Sequence, residues 1–446
     1  MKCLKMIKPA FTLSCFCMLL CYATVLNPVF ADDTCDFPAI FNFGDSNSDT
    51  GGLAATFEWN PPPYGETFFH MPNGRFSDGR LIIDFIASRL GLPFLDAYLN
   101  SLGTNYTHGA NFAIAGATIT QPLFRYYSPV YLDVQVGQFE QFINRSQFIK
   151  KSGGIFKDLM PEEDSFEEAL YTFDIGVNDM AMELSANWTV EEVNASIPTL
   201  INGLSNAIKD VYKLGGRSFW VQNTNPMGCL PAMLTNYPEA AAQNDSVGCA
   251  IPFNQLSQFY NYKLKEAVAQ LRKDLPLAAI TYVDVYTIKY DIISHPQKYG
   301  LSYPTISCCG YGGKYNYSDA GCGSTVTVNG SDIFVGSCKD PSKRINWDGV
   351  HYTEAVNKII VDHISTGNYS DLPIPLNMVC HRELEDSDSN YTSTQTIITY
   401  IYIYIYIYIY IYIHVYHIIV ILVRSLLCNK QIHSSPWLGI CGCVCI

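Results

Sequence analysis

The sequence predicts an α/β domain built around a parallel β-sheet. Between residues 36 and 370, apolar runs of strand length alternate with segments of helical hydrophobic period. The sequence of this region contains no fixed-period repeat and no linker-like stretch, which favours a single domain. With a hydrophobic fraction of 48%, a chain of 446 residues can bury a large core.

The most regular segments define the predicted elements in order. The strands are "AIFNFG" at 39–44, "LYTFDIG" at 170–176, "SFWVQN" at 218–223 and "ITYVDV" at 280–285. Three helices are predicted: one with Pro198 in its first turn and an end at Gly215, one from Phe253 to Pro276, and a last one from Thr353. The stretch 299–338, rich in Gly, Tyr and Cys, is predicted to be a long loop held by disulfides.

The amino-terminal residues 1–31 have the order of a secretory signal peptide. Three lysines precede an apolar run at 11–25, and the small residue Ala31 marks the expected cleavage site. We therefore expect a secreted protein whose folded domain covers residues 32–380.

Cysteines and glycosylation sequons agree with a secretory route. Eight cysteines fall within the folded region, and in an oxidising compartment they are expected to pair as disulfides; the pairing stays open. Nine Asn-x-Ser/Thr sequons are candidates for N-glycans. They are Asn105, Asn144, Asn187, Asn194, Asn244, Asn316, Asn329, Asn368 and Asn390.

The charge balance excludes one class of partner. The formal net charge is −13, and all 41 acidic residues lie between 32 and 390. Such a domain repels phosphate backbones, so we expect no nucleic-acid partner.

The tail at 391–446 has a different character. Its Ile-Tyr repeat is long and apolar enough to span a bilayer, and its alternation would also suit a β-strand. However, an ATATAT repeat translates to the same pattern. We interpret the tail as a gene-model artefact or a disordered segment, and we expect no stable membrane insertion unless the tail is real.

The segment "FNFGDSNSDTGG" at 41–52 allows three interpretations. Asp45, Asn47 and Asp49 match the first positions of a calcium loop, but the Gly and Glu required later are replaced by Thr50 and Thr56. A surface turn would use the same residue types. Its position after a predicted parallel strand instead favours a nucleophile, Ser46, at the edge where ligands bind in open α/β folds.

Partners for such a nucleophile occur farther along the chain. In "NWDGVHYTEA", Asp348 lies three residues before His351, an offset that can orient an imidazole as general base. Capping of the following helix by Asp348 and Thr353 is the structural alternative. Candidate oxyanion donors are the Gly116 N–H in "NFAIAGAT" and the Asn178 amide in "DIGVNDM".

These four blocks, in this order, resemble the GDSL or SGNH hydrolases, in particular the secreted GDSL esterases/lipases of plants. The resemblance covers roughly residues 36 to 370 and is closest to the branch of early nodule-specific, fucosidase-like and acetylesterase proteins. It implies a three-layer α/β/α sandwich with a flavodoxin-like sheet. It also implies a catalytic set of Ser46, Asp348 and His351, and an oxyanion hole formed by Ser46, Gly116 and Asn178.

The resemblance implies a secreted serine esterase, in the apoplast or cell wall, that needs no metal and no cofactor. Small-molecule esters are the expected substrates, namely short-chain or acetyl esters of plant glycosides, cell-wall sugars or small lipids. A long-chain lipase would require a broad apolar groove. A catalytically silent glycoprotein that binds carbohydrate or a partner through the same cleft is the alternative from another functional class.

Overall fold

A six-stranded β-sheet forms the centre of the domain in the computed structural model, which describes residues 34–57, 60–123, 128–381, 403 and 406–424. The sheet order is β2-β1-β3-β4-β5-β8, with β1 to β5 parallel and β8 antiparallel to β5. Its strands are β1 Ile40–Gly44, β2 Gly109–Asn111, β3 Leu170–Asp174, β4 Ser218–Gln222, β5 Ala279–Val283 and β8 Ser370–Asp371. Two further strands, β6 Thr325–Val328 and β7 Ser331–Phe334, form a separate two-stranded sheet. The predicted parallel sheet and its flavodoxin-like order are confirmed.

Helices cover both faces of the sheet. In chain order they are α1 Gly52–Thr56, α2 Ile82–Arg89, α3 Leu132–Ser152, α4 Ser165–Glu168, α5 Val177–Ser185, α6 Val190–Lys213, α7 Pro231–Asn236, α8 Pro238–Ala241, α9 Ile251–Asp274, α10 Val285–Ser294 and α11 Glu354–Ile364. Short 3₁₀ turns occupy Lys157–Leu159, Met227–Cys229, Pro296–Tyr299, Pro341–Lys343 and Leu376–Met378.

Alternation along the strands creates two cores. Phe41 and Phe43 of β1 face a core with α3, α6 and α9, whereas Ile40 faces a core with α2, α10 and α11. Neighbouring side chains of a strand point to opposite faces, so each face of the sheet needs its own helical layer. The three-layer α/β/α sandwich is therefore present.

Helix α6 corrects one predicted boundary. It begins at Val190, two turns before the expected start, because Thr189 and Glu192 form a capping box. Pro198 lies inside the helix rather than in its first turn. The flanking side chains of Val193 and Ile197 are buried in the core, and this packing offsets the hydrogen bond that a proline cannot donate.

The eight cysteines form four disulfides, and the stretch 299–338 is not wholly a loop. Strands β6 and β7 form an antiparallel hairpin through Asn329 and Gly330, both with positive φ, as a two-residue turn requires. The two disulfides of this stretch hold the segment around the hairpin. The pairs are Cys35–Cys380, Cys229–Cys249, Cys308–Cys338 and Cys309–Cys322.

The carboxy-terminal tail forms a separate unit. Its described residues include the helix Tyr406–Arg424, which is long and apolar enough to cross a membrane by length and composition. This segment is thus helical, not the β-strand that its alternation would also suit. The predicted signal peptide and most of the tail lie outside the described residues, so both interpretations stay predictions.

Candidate active site

The predicted catalytic blocks meet at the switch point of the sheet. Strand β1 lies between β2 and β3. The chain first passes from β1 to β2 on one side of β1 and then crosses to β3 on the other side, and this reversal of strand order is the switch point. Gly44 and Asp174 end these two strands in register. Ser46 follows β1 and Asn178 follows β3, which places both at the carboxyl edge where open α/β sheets bind ligands.

The loop that carries Ser46 is tied to strand β3 and to helix α3. The Asp45 N–H donates to the Asp174 carbonyl at 3.2 Å, and the Gln135 side chain donates to and accepts from the Gly44 backbone. A Cβ at Gly44 would lie 2.5 Å from the Asp174 carbonyl oxygen, so only glycine fits there. These contacts therefore fix the backbone of Gly44 and Asp45, immediately before Ser46.

The carboxylate of Asp49 organises the rest of the loop. Its two oxygens accept hydrogen bonds from the N–H groups of Gly51, Gly52, Leu53 and Ala115. The Asp45 Oδ1 similarly accepts from the backbone and side chain of Asn47. Four N–H donors around Asp49 occupy the lone pairs that a calcium ion would need, so the donor geometry contradicts the calcium-loop hypothesis.

Asp348 and His351 form a buried, oriented pair. The His351 Nδ1 lies 2.6 Å from one Asp348 oxygen, and the His351 and Val350 N–H groups donate to the other. The opposite ring nitrogen, Nε2, is buried without a hydrogen-bond partner among the described residues. The pair leaves one imidazole nitrogen available to accept a proton. The capping alternative holds for Thr353, whose side chain caps α11, but not for Asp348.

Electrostatics keep Asp348 charged. Although burial raises the pKa of this carboxyl, the charge of His351 and the hydrogen bonds from His351 and Val350 lower the pKa to about 2. Tyr64 adds a further donor, since its phenol lies 2.8 Å from the same oxygen that contacts Nδ1. The sequence gives no local signal for Tyr64, which lies 284 positions away along the chain.

The loop of Ser46 lies close to the imidazole. One segment contacts both: the Arg75 Nη1 donates to the Thr50 carbonyl of the Ser46 loop at 3.5 Å, and the Phe76 ring centroid lies 5.2 Å from that of the His351 ring. Ser46 is 8% exposed, and its Oγ forms no hydrogen bond with any other described residue. The predicted nucleophile and base are thus brought to one site.

Hydrogen bonds join the three segments that carry the predicted oxyanion donors, since the Ile114 N–H donates to the Gly44 carbonyl and Asn178 contacts Ala117. Gly116 adopts a left-handed conformation with φ of 77°, and within the described part of the chain neither its N–H nor that of Ser46 has an acceptor. The Asn178 Nδ2 donates one proton to the Ala117 carbonyl at 2.9 Å and retains a second. These three donors match the type of group that stabilises a developing oxyanion.

Asp179 fixes the Gly116 turn and was not singled out from the sequence. Its buried carboxylate accepts from the N–H groups of Ile119 and Thr120. Burial raises its pKa to about 7 in spite of these bonds. The only sequence feature that could have indicated a role for Asp179 is its position directly after Asn178.

A cluster of buried titratable residues includes Asp45, the neighbour of Ser46. Lys289 of α10 is 2% exposed, and its Nζ lies 4.9 Å from the centroid of the Tyr352 ring, next to His351. Burial lowers the pKa of Lys289, while the charges of Asp174 and Asp45 raise it. Burial and the charge of Asp174 raise the pKa of Asp45 to about 7. The amphipathic pattern of α10 would assign Lys289 a core position, and nothing local indicates its charged neighbours.

Most glycosylation candidates are accessible in the described structure. The side chains of seven are exposed, whereas Asn316 is half-buried and its Nδ2 donates to the Ser307 carbonyl at 3.0 Å. The ninth, Asn390, lies outside the described residues. The exposed seven are Asn105, Asn144, Asn187, Asn194, Asn244, Asn329 and Asn368.

Comparison with known proteins identifies the family. The model of the family described as GDSL-like lipase/acylhydrolase matches residues 40–364. An esterase of Hevea brasiliensis is 58% identical over 84% of this chain and 95% of its own length. The GDSL esterase/lipase ENOD8 of Medicago truncatula is 53% identical over 80% of this chain and 93% of its own length.

A third relative carries a different name. Alpha-L-fucosidase 3 of Arabidopsis thaliana is 51% identical over 77% of this chain and 94% of its own length. Among solved structures, a variant of an acetyl xylan esterase from Geobacillus stearothermophilus covers 59% of this chain and 83% of its own, with a TM-score of 0.29 and 12% identity. On the family match and these curated relatives, the chain belongs to the GDSL lipase/acylhydrolase family and is a carboxylic ester hydrolase.

Proposed function

We propose that the protein is a secreted serine esterase that works through an acyl-enzyme on Ser46. The observation that carries the proposal is the His351–Asp348 pair, in which Asp348 holds Nδ1 while Nε2 has no hydrogen-bond partner in the described structure. An aspartate held ionised on one side of the ring stabilises the imidazolium that forms when the other side takes a proton.

The reaction follows from these positions. Ser46 Oγ attacks the ester carbonyl carbon while its proton passes to His351 Nε2. The carbonyl oxygen becomes an anion, which the N–H groups of Ser46 and Gly116 and the Asn178 amide are positioned to stabilise. Collapse expels the alcohol, which takes the proton from His351. Water then attacks the acyl group by the same steps, releasing the carboxylic acid and restoring Ser46.

Secretion and substrate class are inferred from separate observations. The leader at 1–31 is typical of a signal peptide, and four disulfides are characteristic of proteins in oxidising compartments. Seven exposed sequons fit an N-glycosylated extracellular protein of the apoplast or cell wall. For substrates, we propose short-chain or acetyl esters of plant glycosides, cell-wall sugars or small lipids.

The decisive experiment replaces the nucleophile. Ser46→Ala is expected to lower hydrolysis of p-nitrophenyl acetate by about 10⁴-fold or more. The matched control is Ser48→Ala in the same loop, because the buried Ser48 Oγ has no hydrogen-bond partner in the described structure. A Ser46→Ala variant with the wild-type rate would overturn the proposal.

A labelling experiment separates catalysis from binding. A fluorophosphonate reacts only with an activated serine, so the folded wild-type protein should carry one adduct, on Ser46. Lack of that adduct in folded protein would favour a catalytically silent glycoprotein that binds carbohydrate or a partner through this cleft.

A further inference from the structure

We propose that a pocket beside the catalytic residues binds a neutral sugar unit in the alcohol part of the ester. This inference rests on the proposed esterase function and specifies its substrate. The pocket has a volume of about 510 Å³, within the range of small-molecule sites. It is lined by α5, α7 and α8 and by the amino-terminal ends of α6 and α9.

The pocket lies at the same edge of the sheet as Ser46. Helices α6 and α9 precede β4 and β5, so their first turns lie at the carboxyl edge of this parallel sheet. Helix α5 carries Asn178 near its start and Leu184 of the pocket near its end. Six residues of helix separate the two by about 9 Å.

Direct contacts connect the pocket wall to the catalytic aspartate. Asn236 lines the pocket, and its side chain lies near the Tyr317 phenol. The Tyr317 ring packs so closely on Gly349, the neighbour of Asp348, that a Cβ at Gly349 would lie 2.2 Å from it. At the start of the same short helix, the Ala232 N–H donates to the Gly349 carbonyl at 3.0 Å. A substrate held in the pocket would therefore border the catalytic loop.

The lining has the two features that a pyranose ring requires. One is aromatic surface for the C–H face of the ring: Trp188 is 38% exposed, and Tyr237 packs edge-on against Phe253. The other is a set of polar groups for hydroxyls. Glu239 and Gln243 are exposed, and in the described structure their side chains form no hydrogen bond within the protein.

The charge of the lining selects among sugars. It contains one carboxylate, that of Glu239, and no lysine, arginine or histidine. A uronate or a phosphorylated sugar would meet an acidic wall without a cation to pair with it. The pocket thus favours a neutral sugar.

The test compares two esters in variants of Trp188. We expect Trp188→Ala to lower kcat/KM for methyl 3-O-acetyl-glucopyranoside about tenfold, mainly through KM, because the stacking surface is lost. Hydrolysis of p-nitrophenyl acetate should not change. Trp188→Phe should retain most of the sugar-ester activity, and Phe148→Ala, at an exposed aromatic residue of α3, is the matched control. All variants are made with Asn187→Gln, so that a glycan at the rim cannot decide the result.

Charge selectivity is measured with the corresponding 3-O-acetyl glucuronoside, which should be the poorer substrate of the wild-type protein. Equal activity of Trp188→Ala and wild type on the neutral sugar ester, or a preference for the glucuronoside, would overturn the sugar site. If p-nitrophenyl acetate is hydrolysed in those cases, the esterase proposal still stands. A wild-type protein inactive on every ester would instead refute the proposed function.

Discussion

Tyr64 donates a hydrogen bond of 2.8 Å to Asp348, on the oxygen that also contacts the His351 imidazole. This phenol is buried, and burial together with the charge of Asp348 raises its pKa well above the usual value. It therefore stays protonated and acts as a donor at all physiological pH values. We regard Tyr64 as a positioning residue that holds Asp348 in line with His351.

Tyr64→Phe should lower kcat for p-nitrophenyl acetate about tenfold while KM changes little. A hydrogen bond to a charged group contributes about 1.5 to 3 kcal/mol, and Tyr64 acts on Asp348 rather than on substrate. Steady-state kinetics of the folded variant provide the measurement. Tyr317→Phe is the control, because the Tyr317 ring packs on Gly349 but, in the described structure, its phenol does not donate to Asp348 as the Tyr64 phenol does. Equal losses in both variants, or a loss confined to KM, would contradict the positioning role.

Strands β1, β3, β4 and β5 could be predicted from the sequence because each is a short, fully buried run. Strand β1 was expected at 39–44 and lies at Ile40–Gly44, while β5 ends at Val283, two residues earlier than expected. The difference at β5 has a local cause: Asp284 accepts from the Thr287 N–H and so starts α10. Such capping competes with strand extension, and an apolar run alone does not reveal it.

The site was predictable only where its residues follow a strand or share a turn. Ser46 and Asn178 each follow a buried strand, and Asp348 lies in the turn of His351. Tyr64 and Lys289 could not be predicted in this way, since they reach the site from distant segments through tertiary packing. Their roles depend on contacts that no local pattern encodes.

Lys289 and Asp174 are expected to stabilise each other as buried groups of opposite charge, because burial lowers the pKa of Lys289 and the charge of Asp174 raises it. Lys289→Met leaves two buried carboxyls without their cation, and Asp174→Asn leaves the ammonium with Asp45 alone. Removing one partner of a buried pair costs about 3 to 5 kcal/mol, whereas replacing both is often close to neutral. Each single variant should therefore unfold at lower denaturant concentration, and the double variant should recover most of the loss.

A double-mutant cycle measures this coupling directly. The free energy of unfolding is determined in urea for wild type, both single variants and the double variant. The control pair is Lys358→Met with Asp362→Asn, a solvent-exposed ion pair with an N–O distance of 2.7 Å. Additive losses at Lys289 and Asp174 would show that the two charges do not stabilise each other.

The disulfide Cys35–Cys380 should stabilise the domain more than Cys309–Cys322. The two bonds close sequence separations of 345 and 13 residues. In the chain-entropy model the longer loop restricts the unfolded chain more, by about 3 kcal/mol. Replacing each pair by alanines and comparing the free energies of unfolding tests the order. Similar losses for the two pairs would indicate that native packing, not chain entropy, dominates.

Asp45→Asn should stabilise the protein at pH 8 but not at pH 4. The ordinary pKa of 3.8 applies to the unfolded chain, and burial raises the pKa in the folded protein to about 7. Below pH 3.8 the carboxyl is protonated in both the folded and the unfolded protein, so its ionisation does not change the free energy of unfolding. As pH rises towards 7, the unfolded chain releases a proton that the folded protein retains, so folding becomes less favourable; above 7 the penalty is complete. Asparagine at position 45 removes this penalty, and its side-chain oxygen can still accept the hydrogen bonds from Asn47.

Thermal unfolding of wild type and Asp45→Asn across this pH range checks the sign. The Tm of the variant relative to wild type should increase from pH 4 to pH 8 and then level off. Asp158→Asn, at an exposed position, controls for the change in net charge. A Tm difference independent of pH, or greatest at pH 4, would mean that Asp45 is not the buried group whose ionisation opposes folding. Because Asp45 adjoins Ser46, a matching change in activity above pH 7 would further link this ionisation to the catalytic loop.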